Sequence, residues 1–253
     1  NGGTLQATDD FTLNANRGLT LGANGGTFSV NAAKRVASAG VIAGTSGLTK
    51  SGSGTLTLTG DNTNYSGVTT VATGNLVIGG AVKPLGTGDV SVASRLSFDT
   101  SAAVSYDNAF SMTGSAIFEN IGSNAITTTR GINTNLSGNV VVDGGAAGLT
   151  IANVMTPTGA GASYFIKGNV TFTGHNMSSL VVRAAGEATA KFTLTNGVSS
   201  FNLWFIGSDT AANAMNIDVA SGVTVNEDAG QGASSLYYKN ITGAGTLFMG
   251  GAN

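Results

Sequence analysis

One phrase recurs along this chain and limits what it can fold into. Gly54-Thr55-Leu56-Thr57-Leu58-Thr59-Gly60 returns near the end as Gly245-Thr246-Leu247-Phe248-Met249-Gly250-Gly251. Gly3-Thr4-Leu5, Gly26-Thr27-Phe28-Ser29-Val30 and Gly74-Asn75-Leu76-Val77-Ile78-Gly79-Gly80 echo it. Each phrase alternates apolar and polar residues between glycines, which makes a short strand with a single apolar face. Self-similarity at a spacing of about twenty residues marks a stacked repeat. A unit that small cannot bury its apolar face alone, so neighbouring units must stack to complete a core.

The rest of the chain follows the same grammar. Asn139-Val140-Val141-Val142, Asn169-Val170-Thr171-Phe172-Thr173, Lys191-Phe192-Thr193-Leu194-Thr195 and Asn216-Ile217-Asp218-Val219 all alternate, with Gly, Asn or Asp at almost every boundary. Charged residues make up 9% of the 253 residues, against about 25% in an ordinary soluble domain. The Lys, Glu and Arg that coat helices are scarce, which argues against any long helix. Thr, Ser and Asn fill the polar positions instead, as suits strands and turns. The phrases place Leu56, Leu58, Leu76, Ile78 and Leu247 in the core of the repeat. Gly52, Gly54, Gly60, Gly67 and Gly74 fall at its turns, where positive φ is tolerated.

Between Lys50 and Gly80 a family resemblance becomes specific. Leu48-Thr49-Lys50-Ser51-Gly52-Ser53-Gly54-Thr55-Leu56-Thr57-Leu58, then Asn62-Thr63-Asn64-Tyr65-Ser66-Gly67-Val68-Thr69, then Gly74-Asn75-Leu76-Val77, resembles the autotransporter-associated β-strand repeat. An extra Asn64 before Tyr65 is the one departure, in the turn. The resemblance is clearest over 48–80, and 241–253 is similar to the start of a further copy. It implies an all-β fold, a right-handed parallel β-helix (β-solenoid) forming a single elongated rod, continuous over 1–253. It also implies a passenger domain on the bacterial cell surface, extracellular, and it does not imply an active site. At about 4.8 Å per coil, roughly a dozen coils make a rod near 60 Å long. The phrases drift between 81 and 239, and the spacing around Gly144–Gly168 predicts an inserted loop near Pro157. The opening Asn1-Gly2-Gly3-Thr4 reads as an excised segment of something longer.

The function expected is therefore that of a non-catalytic structural protein: a stalk, an adhesin shaft or a self-assembling filament subunit. Its partners would be adjacent coils of the same polypeptide or other copies of itself, head-to-tail or lateral, with surface glycans as a further class. The alternative is a carbohydrate-binding or carbohydrate-active β-helix. Catalysis on such a fold needs clustered carboxylates, but the thirteen acids are dispersed, with doublets only at Asp9-Asp10 and Glu227-Asp228. The first reads as a turn entering a strand and the second as a turn leaving one, although acids distant in sequence can meet on one solenoid face. His175 stands alone, so a several-histidine metal site has no candidates, and as the sole base for a nucleophile triad it has no recognisable nucleophile elbow beside it; it reads as an exposed turn. No cofactor, metal or catalytic residue is assigned. Cysteine is absent and the net charge is −2 with no basic block, so neither a disulfide scaffold nor a nucleic-acid footprint is present.

One segment departs from this uniformity. In Phe201-Asn202-Leu203-Trp204-Phe205-Ile206, alternation directs Trp204 and Ile206 away from Phe201, Leu203 and Phe205. With Tyr237 and Tyr238 they form a candidate lateral contact surface, since Trp and Tyr are favoured at interfaces. Replacing Trp204 by Ser is expected to abolish lateral association while leaving the strand circular-dichroism spectrum unchanged. Sedimentation that does not respond to the substitution would remove this surface from consideration.

Overall fold

The computed structural model describes residues 2–80, 82–134, 139–152, 163–173, 178–184, 191–194, 201–205, 215–219, 224–228 and 238–250. Every regular element among them is a β-strand, and every strand pairing is parallel. The chain winds as a right-handed parallel β-helix, an elongated rod in which each coil lays its strands on those of the coil before. This is the handedness that parallel crossovers favour.

Three long sheets form the sides. The first has seven strands, from Gly3–Ala7 at one edge to Ile132–Thr134 at the other. The second runs through twelve, from Phe11–Leu13 to Thr246–Gly250. The third also has seven, from Val104–Tyr106 to Tyr238–Thr242. A short fourth sheet pairs Leu19–Thr20 with Ile42–Ala43. The coil length is not fixed. Leu56 stacks on Leu76 and Leu76 on Leu96 at intervals of 20 residues, whereas Leu96 to Phe118 takes 22 and Phe118 to Val142 takes 24.

Alternation along each strand sets what points inward. In Thr55–Leu58 the leucines are buried and the threonines half-exposed. Leu56, Leu76, Leu96, Phe118 and Val142 form one unbroken inward file down the second sheet. Leu58, Ile78 and Phe98 form the next. Around Phe98 the core is filled by aromatic rings. Phe98 packs against Phe118 and Tyr106 with ring centres 5.1 Å away in each case, and Phe110 meets Phe118 at 5.0 Å. The tilted and edge-on geometries are those that ring quadrupoles prefer.

The outward files are just as regular. Thr4, Thr27, Thr49, Thr70, Ser91 and Ser111 are register partners down the outer face of the first sheet. Ser105, Thr127, Thr150 and Thr171 do the same on the third. The outer face of the second sheet differs, carrying Arg95, Ser97 and Glu119.

The Glu227-Asp228 doublet corrects the sequence reading. The strand Thr224–Asp228 extends through both acids, because its ladder with Thr246–Gly250 continues to the Asp228–Gly250 pair. Parallel pairing thus outweighs the turn preference of an acidic doublet. The loop expected near Pro157, like His175, falls outside the described residues.

The aromatic cluster at Phe98 should dominate local stability. Phe98→Ala is expected to cost about 3–5 kcal/mol in urea unfolding. Ile121→Ala, at a side chain 55% exposed, should change stability by less than about 0.5 kcal/mol. Equal effects from the two would contradict the packing described.

Candidate functional site: the clamps between coils

A solenoid corner bends the chain out of its ladder and leaves backbone N–H and C=O groups without partners. Burying such a group unpaired costs about 1–3 kcal/mol. Over residues 48–80 a small set of side chains answers this need.

Lys50 lies in the strand Leu48–Ser51, between the outward Thr49 and Ser51. It therefore points inward and occupies an otherwise apolar file, with Phe28 on one side and Val71 on the other. Only 1% of the residue is exposed. Its ammonium donates to the carbonyl oxygens of Ser51 at 2.7 Å, Gly52 at 2.7 Å and Thr73 at 3.0 Å. Three donors meet three acceptors. The contacts tie the corner of one coil to that of the next. Burial pulls the Lys50 pKa down to about 8. Gly74 sits against this corner at φ 73°, where a Cβ would overlap the Gly52 carbonyl and crowd Lys50 Nζ. Only glycine fits both the conformation and the space.

Asn62 is buried at the opposite corner and spans three coils. Its Oδ1 accepts from the Ile42 N–H at 2.6 Å, and its Nδ2 donates to the Pro84 carbonyl at 2.5 Å. Tyr65 is also buried; its hydroxyl accepts from the Leu48 N–H at 2.9 Å and donates to the Val68 carbonyl at 2.9 Å. Burial raises its pKa. The extra residue Asn64 is exposed between them, so it bulges outward without displacing either clamp. At Gly67 a Cβ would overlap the Ser46 carbonyl, which fixes the next close approach.

The residues singled out by sequence occupy definite places. Leu56, Leu58, Leu76 and Ile78 are buried in the core. Gly52, Gly54 and Gly60 lie where a Cβ would strike a carbonyl of the preceding coil. Leu247 lies in the strand Thr246–Gly250, Trp204 in Phe201–Phe205 and Tyr238 in Tyr238–Thr242, but their side chains lie outside the described residues. Ile206 and Tyr237 fall outside them altogether. Sequence reasoning missed the roles of Lys50, Asn62 and Tyr65. For Lys50 the signal was available, since strict alternation over Leu48–Ser51 turns the lysine inward.

Distant acids do meet on the outer face of the second sheet, where Glu119 is the register partner of Asp143. Both have structural partners. Glu119 receives Arg95 at 3.0 and 3.1 Å and the Ser97 hydroxyl at 2.5 Å. Asp143 accepts from the Gly145 N–H at 2.9 Å. Among the described residues no three His, Cys, Asp or Glu side chains come together as a metal site. None of these residues forms a helix long and apolar enough to cross a membrane.

Residues 48–78 match the sequence model of the passenger-associated-transport-repeat family. Over 172 residues, 64% of this chain, the sequence is 30% identical to the adhesin BmaC autotransporter of Brucella suis biovar 1 (strain 1330). The chain spans about 5% of the length of that relative. No solved structure matches it. The clamps described above thus lie within a repeat of the autotransporter-passenger type, and the chain resembles part of a surface adhesin.

The Lys50 clamp has a pH signature. The folded pKa of about 8 lies below the ordinary 10.5, so between those values the unfolded chain binds more protons. Stability contributed through Lys50 should therefore rise as pH increases from about 8 to 10.5, and stay flat below that window. Urea titrations of the native chain against Lys50→Met should show a difference with this slope. A difference independent of pH would mean that the lysine keeps its ordinary pKa.

Proposed function

We propose that this chain is a length of shaft in a bacterial surface adhesin, a rigid spacer with no catalytic centre of its own. The observation that carries the reading is the use made of the repeat's signature residues. Lys50, Gly52, Asn62, Tyr65, Gly67 and Gly74 all serve to hold one coil to the next. They face corners and core. A repeat selected for stacking supports a mechanical role, and the likeness to an adhesin supports a role at the cell surface.

The strands Gly3–Ala7, Phe11–Leu13 and Leu19–Thr20 each begin a sheet and carry one unpaired edge. Further coils would dock there, supplied by flanking polypeptide in a shaft or by another copy in a filament. Negative-stain electron microscopy over a range of concentrations tests the proposal. Isolated rods near 60 Å long are expected, twelve coils at about 4.8 Å each. Compact round particles would refute a shaft, and long uniform filaments would replace it with a self-assembling subunit.

A further inference from the structure

Three buried side-chain atoms have no hydrogen-bond partner among the described residues: the Tyr106 hydroxyl, the Thr128 hydroxyl and Asn108 Oδ1. None of the three residues is more than 1% exposed. A buried polar atom left unpaired forfeits the hydrogen bonds that water gave it in the unfolded chain, so three in one region need a cause.

They belong to one place in the fold. Tyr106 and Thr128 are register partners on successive coils of the third sheet, in the inward file that continues to Ile151. Asn108 follows Tyr106 by two residues, and both are buried around the exposed Asp107. The Asn108 Nδ2 donates to the Gly86 and Gly88 carbonyls of the preceding coil, at 3.2 and 2.6 Å. Its Oδ1, on the other arm of the amide, is thereby turned from that coil toward the one that carries Thr128. Thr128 is also the shortest side chain of its file, between Tyr106 and Ile151, which is where a small ligand finds room.

The three atoms also state what they would accept. Asn108 Oδ1 is an acceptor only, whereas a threonine hydroxyl can do either. Burial raises the Tyr106 pKa and keeps that hydroxyl protonated, a donor in need of an acceptor. A ligand for all three must therefore both donate and accept. A cation fails this, since it cannot accept and would enter the core with no anion to face it; Asp107 is exposed and pairs with Lys83.

We propose that an ordered water molecule is bound inside the rod at this level, accepting from the Tyr106 hydroxyl, donating to Asn108 Oδ1 and taking the Thr128 hydroxyl as its third partner. About three hydrogen bonds is the usual complement of a buried water. Such a molecule joins two coils as the side chains of Lys50, Asn62 and Tyr65 do over residues 48–80. The inference does not depend on the shaft reading, since any rod of these coils would hold the same water.

Water magnetic relaxation dispersion of the whole 253-residue chain tests it by counting the molecules held inside for longer than the protein takes to tumble. Urea unfolding of the same samples reads their effect on stability. Thr128→Val keeps the shape of the side chain and removes its hydroxyl. It is expected to lose one long-lived water relative to the parent and to lower the urea midpoint. Tyr106→Phe should lower the midpoint as well, and the double variant should lose less than the two single losses together, because both break one bridge. Thr127→Val, on the outward face of the same strand, should leave the count unchanged. The proposal fails if Thr128→Val keeps the parent's count, or if Thr127→Val lowers it equally. It fails too if Thr128→Val or Tyr106→Phe raises the midpoint, since the hydroxyl removed would then have been buried without a partner. Additive losses would also overturn it, by placing the two hydroxyls at separate sites.

Discussion

Parallel pairing in strict register is the constraint from which the other features follow. Each strand inside a sheet has its hydrogen-bonding edges met by the coils on either side, so a residue's nearest outward neighbour is its counterpart one coil away. Stacking like on like suits Leu, Ile and Phe inside and Thr or Ser outside. It penalises charge, because a charged position repeated down a sheet would set like charges about 4.8 Å apart. The low charge of the chain is thus a consequence of the architecture. On the second sheet Arg95 is offset by Glu119 one coil on, while Glu119 is itself the register partner of a second acid, Asp143.

Register alone does not complete a coil, because the chain has to bend out of one sheet and into the next. The corners are where backbone groups lose their ladder partners. Lys50, Asn62 and Tyr65 are long or forked side chains that reach from one coil to the carbonyls and amides of another. Glycines beside them allow the backbones to approach closely enough for that reach. The clamps therefore repay an energetic cost created by the fold itself, and the repeat's motif is the list of residues able to do so.

This division explains what was legible in the sequence. The alternation in Thr55-Leu56-Thr57-Leu58 encodes its own answer, because period two maps directly onto in and out. The stacked architecture followed from recurrence of that phrase. Lys50 was harder to read, since a lysine is ordinarily a solvent-facing residue. The alternation of Leu48–Ser51 turns it inward, and the three carbonyls around it supply the physical reason it can be buried there. Asn62 and Tyr65 were hidden for another reason, as their partners Ile42, Pro84 and Leu48 lie a coil away. At Glu227-Asp228 local turn preference pointed one way and the ladder with Thr246–Gly250 decided the other.

The variable coil length shows how much change the inward file tolerates. Coils grow from 20 to 24 residues between Leu56 and Val142 while the inward file keeps its register. Phe98, Phe110 and Phe118 pack together in the core over this stretch. Since each coil contacts only its neighbours, a change at one corner need not propagate along the rod. The exposed Asn64, inserted between two clamps that hold their positions, is a small instance. A rod built this way can be lengthened coil by coil or altered at its corners, while the sheets that form its sides keep their register.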